Sequence, residues 1–189
     1  MGLEFELKYA AKPEVLQAIA RDFGEFTSIS METTYYDTTD FTLSDQKMTL
    51  RRRFENGLSV CTLKTPSQSY GRGEWDLQEP WSETAANQLF AMANVTSVPF
   101  ADLKAVCGAK FTRLAKTVRL PDCVVEIALD NGILFGKDAQ IPLCEVEVEL
   151  KEGDQDAVIR WAQAFAKLYG LTAESRSKFK RALSLAKGE

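Results

Sequence analysis

Apolar and charged residues alternate with a period of two along Leu3-Glu4-Phe5-Glu6-Leu7-Lys8-Tyr9, the spacing of a β-strand with two unlike faces. One face carries Leu3, Phe5, Leu7 and Tyr9, and the other Glu4, Glu6 and Lys8. The period then lengthens. Lys12-Pro13 opens a helix through Phe23, with Val15, Leu16, Ile19 and Phe23 on one side and the proline in the first turn. Strands are predicted over residues 29–37, 47–54 and 58–65, with turn chemistry at Asp37-Thr38-Thr39-Asp40 and a hairpin at Asn56-Gly57. A loop over 66–71 leads to a strand over 72–78, a helix from its N-cap Ser82 to Ala93, and a short helix over 101–107.

The second half repeats the theme. Strands are predicted over 111–120 and 124–129, with a second hairpin turn at Asn131-Gly132 continued by 133–136, and the longest alternation runs over 143–151. Asp154 caps a helix to Tyr169, striped by Val158, Trp161, Phe165 and Leu168 and stopped by Gly170. Residues 175–186 predict a last helix with an extended start. No linker or shift in composition interrupts the chain, so one domain over residues 1–189 is expected. Its class is α+β: antiparallel, hairpin-rich strands in a closed or nearly closed barrel, with helices packed outside.

The strand faces carry the chemistry. One side holds Thr49, Arg51 and Arg53; the next strand holds Thr62 and Lys64; the next, Arg72, Glu74 and Asp76. In the second half the files are Arg113 (with Lys116 or Arg119 less securely placed), then Glu126, Ala128 and Asp130, then Glu145, Glu147 and Glu149. Each strand has an apolar face that can pack under helices and a charged face that cannot. The charged faces either line a lumen or meet water with no special role. Glu145, Glu147 and Glu149 in file repel one another unless cations neutralise them, which favours the lumen. So does the segregation of basic from acidic strands, which a solubilising surface does not need.

Composition narrows the chemistry. The chain has 189 residues and a net charge of −4, against general nucleic-acid binding. No apolar run approaches the ~20 residues that span a bilayer, and no signal peptide precedes the first strand, so a cytoplasmic protein without a membrane partner is expected. Cys61, Cys107, Cys123 and Cys144 are widely spaced and read as free thiols. There is no histidine, which excludes Ser-His-Asp and Cys-His catalysis and His-ligated zinc. Carboxylates gathered without His or Cys are hard oxygen ligands suited to Mg²⁺ or Mn²⁺. Arg and Lys directed at the same space suit phosphate oxygens. Together they fit a metal-bound polyphosphate. Gly71-Arg72-Gly73 lacks the Lys-Ser/Thr ending of a P-loop.

These residues resemble a known family. Glu4-Phe5-Glu6-Leu7-Lys8 is similar to the E-x-E-x-K signature of the CYTH, or triphosphate tunnel metalloenzyme, superfamily. Tyr35-Tyr36-Asp37-Thr38 resembles its Y-Y-D-T segment, Leu50-Arg51-Arg52-Arg53 its L-R-x-R, Thr62-Leu63-Lys64 its T-x-K, and Arg72-Gly73-Glu74 its R-x-E. Phe111-Thr112-Arg113 resembles F-x-R, Glu126-Ile127-Ala128-Leu129-Asp130-Asn131-Gly132 resembles E-I-A-L-D-x-G, residues 144–153 resemble E-x-E-x-E-L-x-x-G, and Ser177-Lys178 resembles the closing S-K. The first block alone is short; the blocks in order and spacing are specific. Arg52 departs from a position where an apolar residue is common, and the tail 179–183 departs from the usual aromatic-containing one, which leaves Arg181 without an assigned role.

The resemblance implies an eight-stranded antiparallel tunnel that hydrolyses or cyclises triphosphates with Mg²⁺ or Mn²⁺. The last two long blocks are most like the bacterial inorganic triphosphatase branch; some relatives carry an appended helical phosphate-binding domain, which is not expected within residues 1–189. The expected activity is hydrolysis of a small-molecule substrate, inorganic triphosphate, to pyrophosphate and phosphate. Glu4, Glu6, Glu145 and Glu147 would hold the metal, with Glu126, Asp130 and Glu149 as further candidates. Lys8, Arg51, Arg53, Lys64, Arg113 and Lys178 would hold phosphates, and Glu4, Glu6 and Lys8 stand closest to the chemistry. Arg72 and Glu74 read equally as a supporting ion pair, and Tyr35 and Tyr36 as wall and core. Thiamine triphosphatase, class IV adenylate cyclase and a non-catalytic polyphosphate- or nucleotide-binding module are the alternatives.

Overall fold

The computed structural model describes residues 5–66 and 73–189. Its strands and helices are β1 (Phe5–Ala10), α1 (Pro13–Phe23), β2 (Thr27–Asp37), α2 (Thr42–Asp45), β3 (Thr49–Glu55), β4 (Leu58–Thr65), β5 (Gly73–Leu77) and α3 (Glu83–Ala93). A 3₁₀ turn at Phe100–Asp102 precedes β6 (Lys104–Arg119), β7 (Cys123–Gly136), β8 (Ala139–Gly153), α4 (Gln155–Tyr169), β9 (Thr172–Ala173) and α5 (Lys178–Lys187). The α+β class and the antiparallel pairing follow the expectation. The sheet has nine strands in the order β5-β4-β3-β2-β6-β7-β8-β1-β9. Among the described residues this order has two edges, so hydrogen bonds do not close the eight-stranded ring that the sequence implied. No helix among the described residues is long and apolar enough to cross a membrane.

The chain divides into two compact units. The first gathers β1, α1, β6 from Phe111, β7 to Ile133, β8 from Pro142, α4 and β9. Its core is Ile19 and Leu16 of α1, Val125, Ile127 and Leu129 of β7, Val146 and Val148 of β8, and Val158, Ala162 and Phe165 of α4. Each valine, leucine, isoleucine or phenylalanine among them, fully buried, stabilises the fold by about 1.5–3 kcal/mol. Phe23, Trp161, Phe165 and Tyr169 close the rim edge to face and stacked. α4 begins where the Asp154 carboxylate accepts from Asp156 N and ends at Gly170, whose φ of 63° is left-handed.

The second unit gathers β2 from Ser30, α2, β3, β4, β5, α3, the remaining ends of β6 to β8, and α5. Its core packs Leu43, Met48, Leu50, Cys61 and Leu63 against Ala85, Ala86, Leu89 and Phe90 of α3. The Ser82 hydroxyl accepts from Ala85 N to start α3. Buried Asp37 accepts from the backbone N–H groups of Thr38, Leu43 and Ser44 at 2.8–2.9 Å and so sets the short α2 turn before β3. The four cysteines are free thiols. Burial, reinforced by the charge of Asp37, pushes the Cys107 thiol up to about 12.

Three expectations are corrected. Residues 101–107 are not an α-helix: the 3₁₀ turn ends at Asp102 and β6 starts at Lys104, because Cys107, Gly108, Ala109 and Phe111 are buried in a strand held between β2 and β7. Asn131-Gly132 is not a hairpin turn. It lies inside the continuous strand β7, and neither residue has the positive φ that such a turn requires. The chain reverses at Lys137 instead, with φ of 53°. Leu168 is 76% exposed; Ala162 and Ala166 complete the stripe that Val158 and Phe165 begin. Residues 67–71 of the expected loop over 66–71, and Arg72 at the start of the expected 72–78 strand, lie outside the described residues.

Candidate functional site

In the first unit β1 and β8 share one charged face. Their antiparallel register sets Glu6 opposite Glu149, Lys8 opposite Glu147 and Ala10 opposite Glu145, while Phe5, Leu7 and Tyr9 oppose Leu150, Val148 and Val146. Period two therefore sends the whole charged file one way and the apolar file into the core. Glu4 lies outside the described residues. Glu6 is 39% exposed at its side chain and pairs with Lys8 at 3.3 Å.

The acidic residues separate into two groups. Asp130 of β7 and Glu145 and Glu147 of β8 are buried, and one carboxylate oxygen from each lies within 4.8 Å of the others. Glu126 and Glu149 stand apart from them on Lys151, at 3.7 and 2.8 Å. Lys151 is a functional-face residue beyond the sequence-based candidates; its signal is that it continues the 145-147-149 alternation by one more step.

Arg113 of β6 joins the buried group. Its Nε donates to Asp130 Oδ1 at 2.8 Å and its Nη2 to Asp130 Oδ2 at 2.7 Å, and Nη2 also reaches Glu147 Oε2 at 2.5 Å. Burial opposes the charge on this guanidinium, but the hydrogen bonds and charges of Asp130 and Glu147 outweigh it and raise its pKa. Lys116, the next candidate along β6, instead donates to Glu25 O at 2.9 Å.

The basic residues of the second unit form one face across four strands. Tyr35, Arg51, Thr62 and Asp76 are cross-strand neighbours in succession, as are Thr49, Lys64 and Glu74. Lys64 Nζ meets Glu74 Oε2 at 2.7 Å and Arg51 Nη2 meets Glu74 Oε1 at 3.6 Å. Thr62 donates to Asp76 at 2.6 Å, and Arg53 Nε donates to Thr33 Oγ1 at 3.3 Å. The Nε of Arg51 is buried and donates to no acceptor among the described residues, an arrangement that costs free energy until an acceptor arrives. Glu74 thus pairs with Lys64 and Arg51. Tyr35 packs on Phe179 of α5 at 4.8 Å and Tyr36 stacks on Trp81 at 3.7 Å, so both are wall and core. Lys178, the first residue of α5, is buried. Arg52 points to the other side of β3, over the Phe54 ring at 4.4 Å.

The donor set fits a hard divalent cation. Three carboxylates converge in a chain without histidine, and the group already holds one cationic nitrogen between Asp130 and Glu147.

Over residues 2–183 the chain matches the CYTH domain family. It is 29% identical over 188 residues to a Haemophilus influenzae protein named inorganic triphosphatase, a match that takes in 94% of this chain and 53% of that protein. The chain therefore spans about half the length of this curated relative. Among solved structures, a Hippeastrum protein described as a candidate adenylyl cyclase with a dominant triphosphatase activity superposes at a TM-score of 0.68, with 17% identity over 96% of each chain. A Pyrococcus horikoshii protein superposes at 0.61, with 22% identity over 96% of this chain and 98% of its own. These structural likenesses establish the fold.

Proposed function

The chain belongs to the CYTH domain family, and from that premise we propose that it hydrolyses inorganic triphosphate to pyrophosphate and phosphate with Mg²⁺ or Mn²⁺. The observation that carries the reading is the convergence of the Asp130, Glu145 and Glu147 carboxylates within 4.8 Å in a molecule that also files Arg51, Arg53 and Lys64 on one strand face. The name of the Haemophilus relative supports the choice of substrate.

Glu145 and Glu147 would hold the cation, with Glu4, Glu6 and Asp130 as further ligands; Glu126 and Glu149, engaged by Lys151, act less directly. When bound, the divalent cation supplies Lewis-acid stabilisation of charge on the phosphoryl oxygens. Arg51 offers its buried Nε–H to a phosphate oxygen, and Arg53, Lys64, Lys8, Arg113 and Lys178 neutralise the remaining charge. Fixed cations of this kind stabilise the transition state most where water is excluded. The attacking water is oriented by a carboxylate of the same face.

Purified protein with Mg²⁺ or Mn²⁺, given triphosphate, thiamine triphosphate or ATP separately, tests the reading. Phosphate release should be fastest from triphosphate and should stop when the metal is chelated. Cyclic AMP from ATP, faster turnover of thiamine triphosphate, or binding without turnover would each replace it.

A further inference from the structure

One nitrogen of Arg113 stands between two of the three converging carboxylates, with Nη2 at 2.7 Å from Asp130 Oδ2 and 2.5 Å from Glu147 Oε2. Through Nε the same fork takes the second oxygen of Asp130. Asp130 is fully buried and the Arg113 side chain is only 15% exposed, so these contacts are little screened by water. A cationic nitrogen shared by two carboxylates holds the place, relative to those oxygens, that a divalent ion takes when they bind one. The same oxygens cannot serve both along one direction. At contact range, repulsion between a guanidinium and a divalent ion is enough to change a binding constant by more than about tenfold.

We propose that Arg113 is the internal counter-ion of this acidic group: it neutralises Asp130 and Glu147 in the cation-free protein and gives them up as a divalent cation binds. This rests on the metal-and-phosphate reading above and adds its regulation. Burying carboxylates is costly unless counter-charges pair with them, and in the metal-free protein Arg113 supplies one to Asp130 and Glu147. An arginine remains protonated throughout, so it leaves by moving and not by losing a proton. Its released fork is then free for a phosphate oxygen, which couples cation uptake to substrate binding through one side chain. The two roles that sequence analysis gave to Arg113 and to Asp130 with Glu147 become two states of one contact.

Mn²⁺ binding to protein without triphosphate, followed by the electron paramagnetic resonance of the free ion, tests the exchange. Arg113→Met should bind Mn²⁺ at least about tenfold more tightly than wild type. Arg113→Lys should gain a smaller factor, since an ammonium keeps the charge but cannot span both carboxylates. In metal-free buffer Arg113→Met should melt below wild type and recover more degrees on adding Mn²⁺; if it does not fold, Arg113→Lys decides. Equal or weaker Mn²⁺ binding in Arg113→Lys, and in Arg113→Met where it folds, overturns the inference, because the arginine then orients the carboxylates instead of competing for them. Glu145→Gln separates the two levels. Loss of Mn²⁺ there, with unchanged affinity in the Arg113 variants, sinks the exchange alone. No Mn²⁺ binding by wild type or any variant sinks the metal reading with it.

Discussion

Gly136, the last residue of β7, is the seat of α5, and replacing it by alanine should lift that helix. A Cβ at this position would lie 2.6 Å from Ala182 O, 2.7 Å from Ala186 N and 3.1 Å from Ala186 Cα. All three are backbone atoms of α5, so no rotamer change relieves them. Ordinary carbon contacts sit near ~3.5–4.0 Å, so the helix must retreat by roughly 0.5–1 Å. A gap of that size forfeits about a quarter to a half of the dispersion energy of the atoms it separates. Those include Ala182, which is fully buried, and Phe179, packed on Tyr35. Overpacking of this kind costs about 1–3 kcal/mol, which for a chain of this size lowers Tm by roughly 2–4 °C per kcal/mol. The same retreat moves Lys178 at the start of the helix, so the KM for triphosphate should rise several-fold with a smaller change in kcat. Differential scanning calorimetry and steady-state phosphate release measure the two effects. Adding Ala182→Gly should restore neither, since the contact is with the main chain. A variant that melts within about 1 °C of wild type with unchanged KM, or a rescue by Ala182→Gly, would refute the reasoning.

Glu6→Gln should lower metal-dependent kcat by about 100-fold or more while leaving Tm nearly unchanged, because the side chain is part-exposed; normal turnover would remove β1 from the chemistry. Glu74→Gln takes a negative charge away from Lys64 and Arg51. A unit charge at roughly 6 Å with an effective dielectric near 40 is worth about 1.4 kcal/mol, so KM should fall about tenfold, for a stability loss of about 1 kcal/mol or less; a higher KM would mean that Glu74 chiefly positions the two cations. Cys107, with its folded pKa raised to about 12 from 9.0, should resist thiolate-directed labelling at pH 8 in the native protein. Between those values the unfolded chain has lost the proton that the folded protein keeps. The thiol's contribution is therefore complete below pH 9 and lost as pH rises towards 12; a Cys107→Ser variant should lose that part of the alkaline slope.

Local signals read well wherever one face or one turn decided the outcome. Helix α1 with its proline, the Ser82 and Asp154 caps, the Gly170 stop and the Asn56-Gly57 hairpin all fall where the sequence places them. Asn131-Gly132 misled because turn propensity is a local preference, whereas β7 is held as a strand between β6 and β8. Residues 101–107 misled because a weakly patterned segment takes the structure of the sheet it joins, here as the start of β6 between β2 and β7. Leu168 shows that a helical stripe has margins, which only the packing partner defines.

The sequence by itself determined the charged and apolar files and, through them, the face on which each candidate ligand of the described strands lies, because a strand's side-chain period is two and leaves no choice of side. Which members of those files meet was decided by tertiary structure alone. Nothing in the spacing separates Asp130 from Glu126, or Glu147 from Glu149. Strand register and depth of burial do, putting Asp130, Glu145 and Glu147 around the Arg113 fork and leaving Glu126 and Glu149 to Lys151. Charge can be counted along a chain, but the partner that neutralises it is set by distances of a few ångströms between strands far apart in sequence.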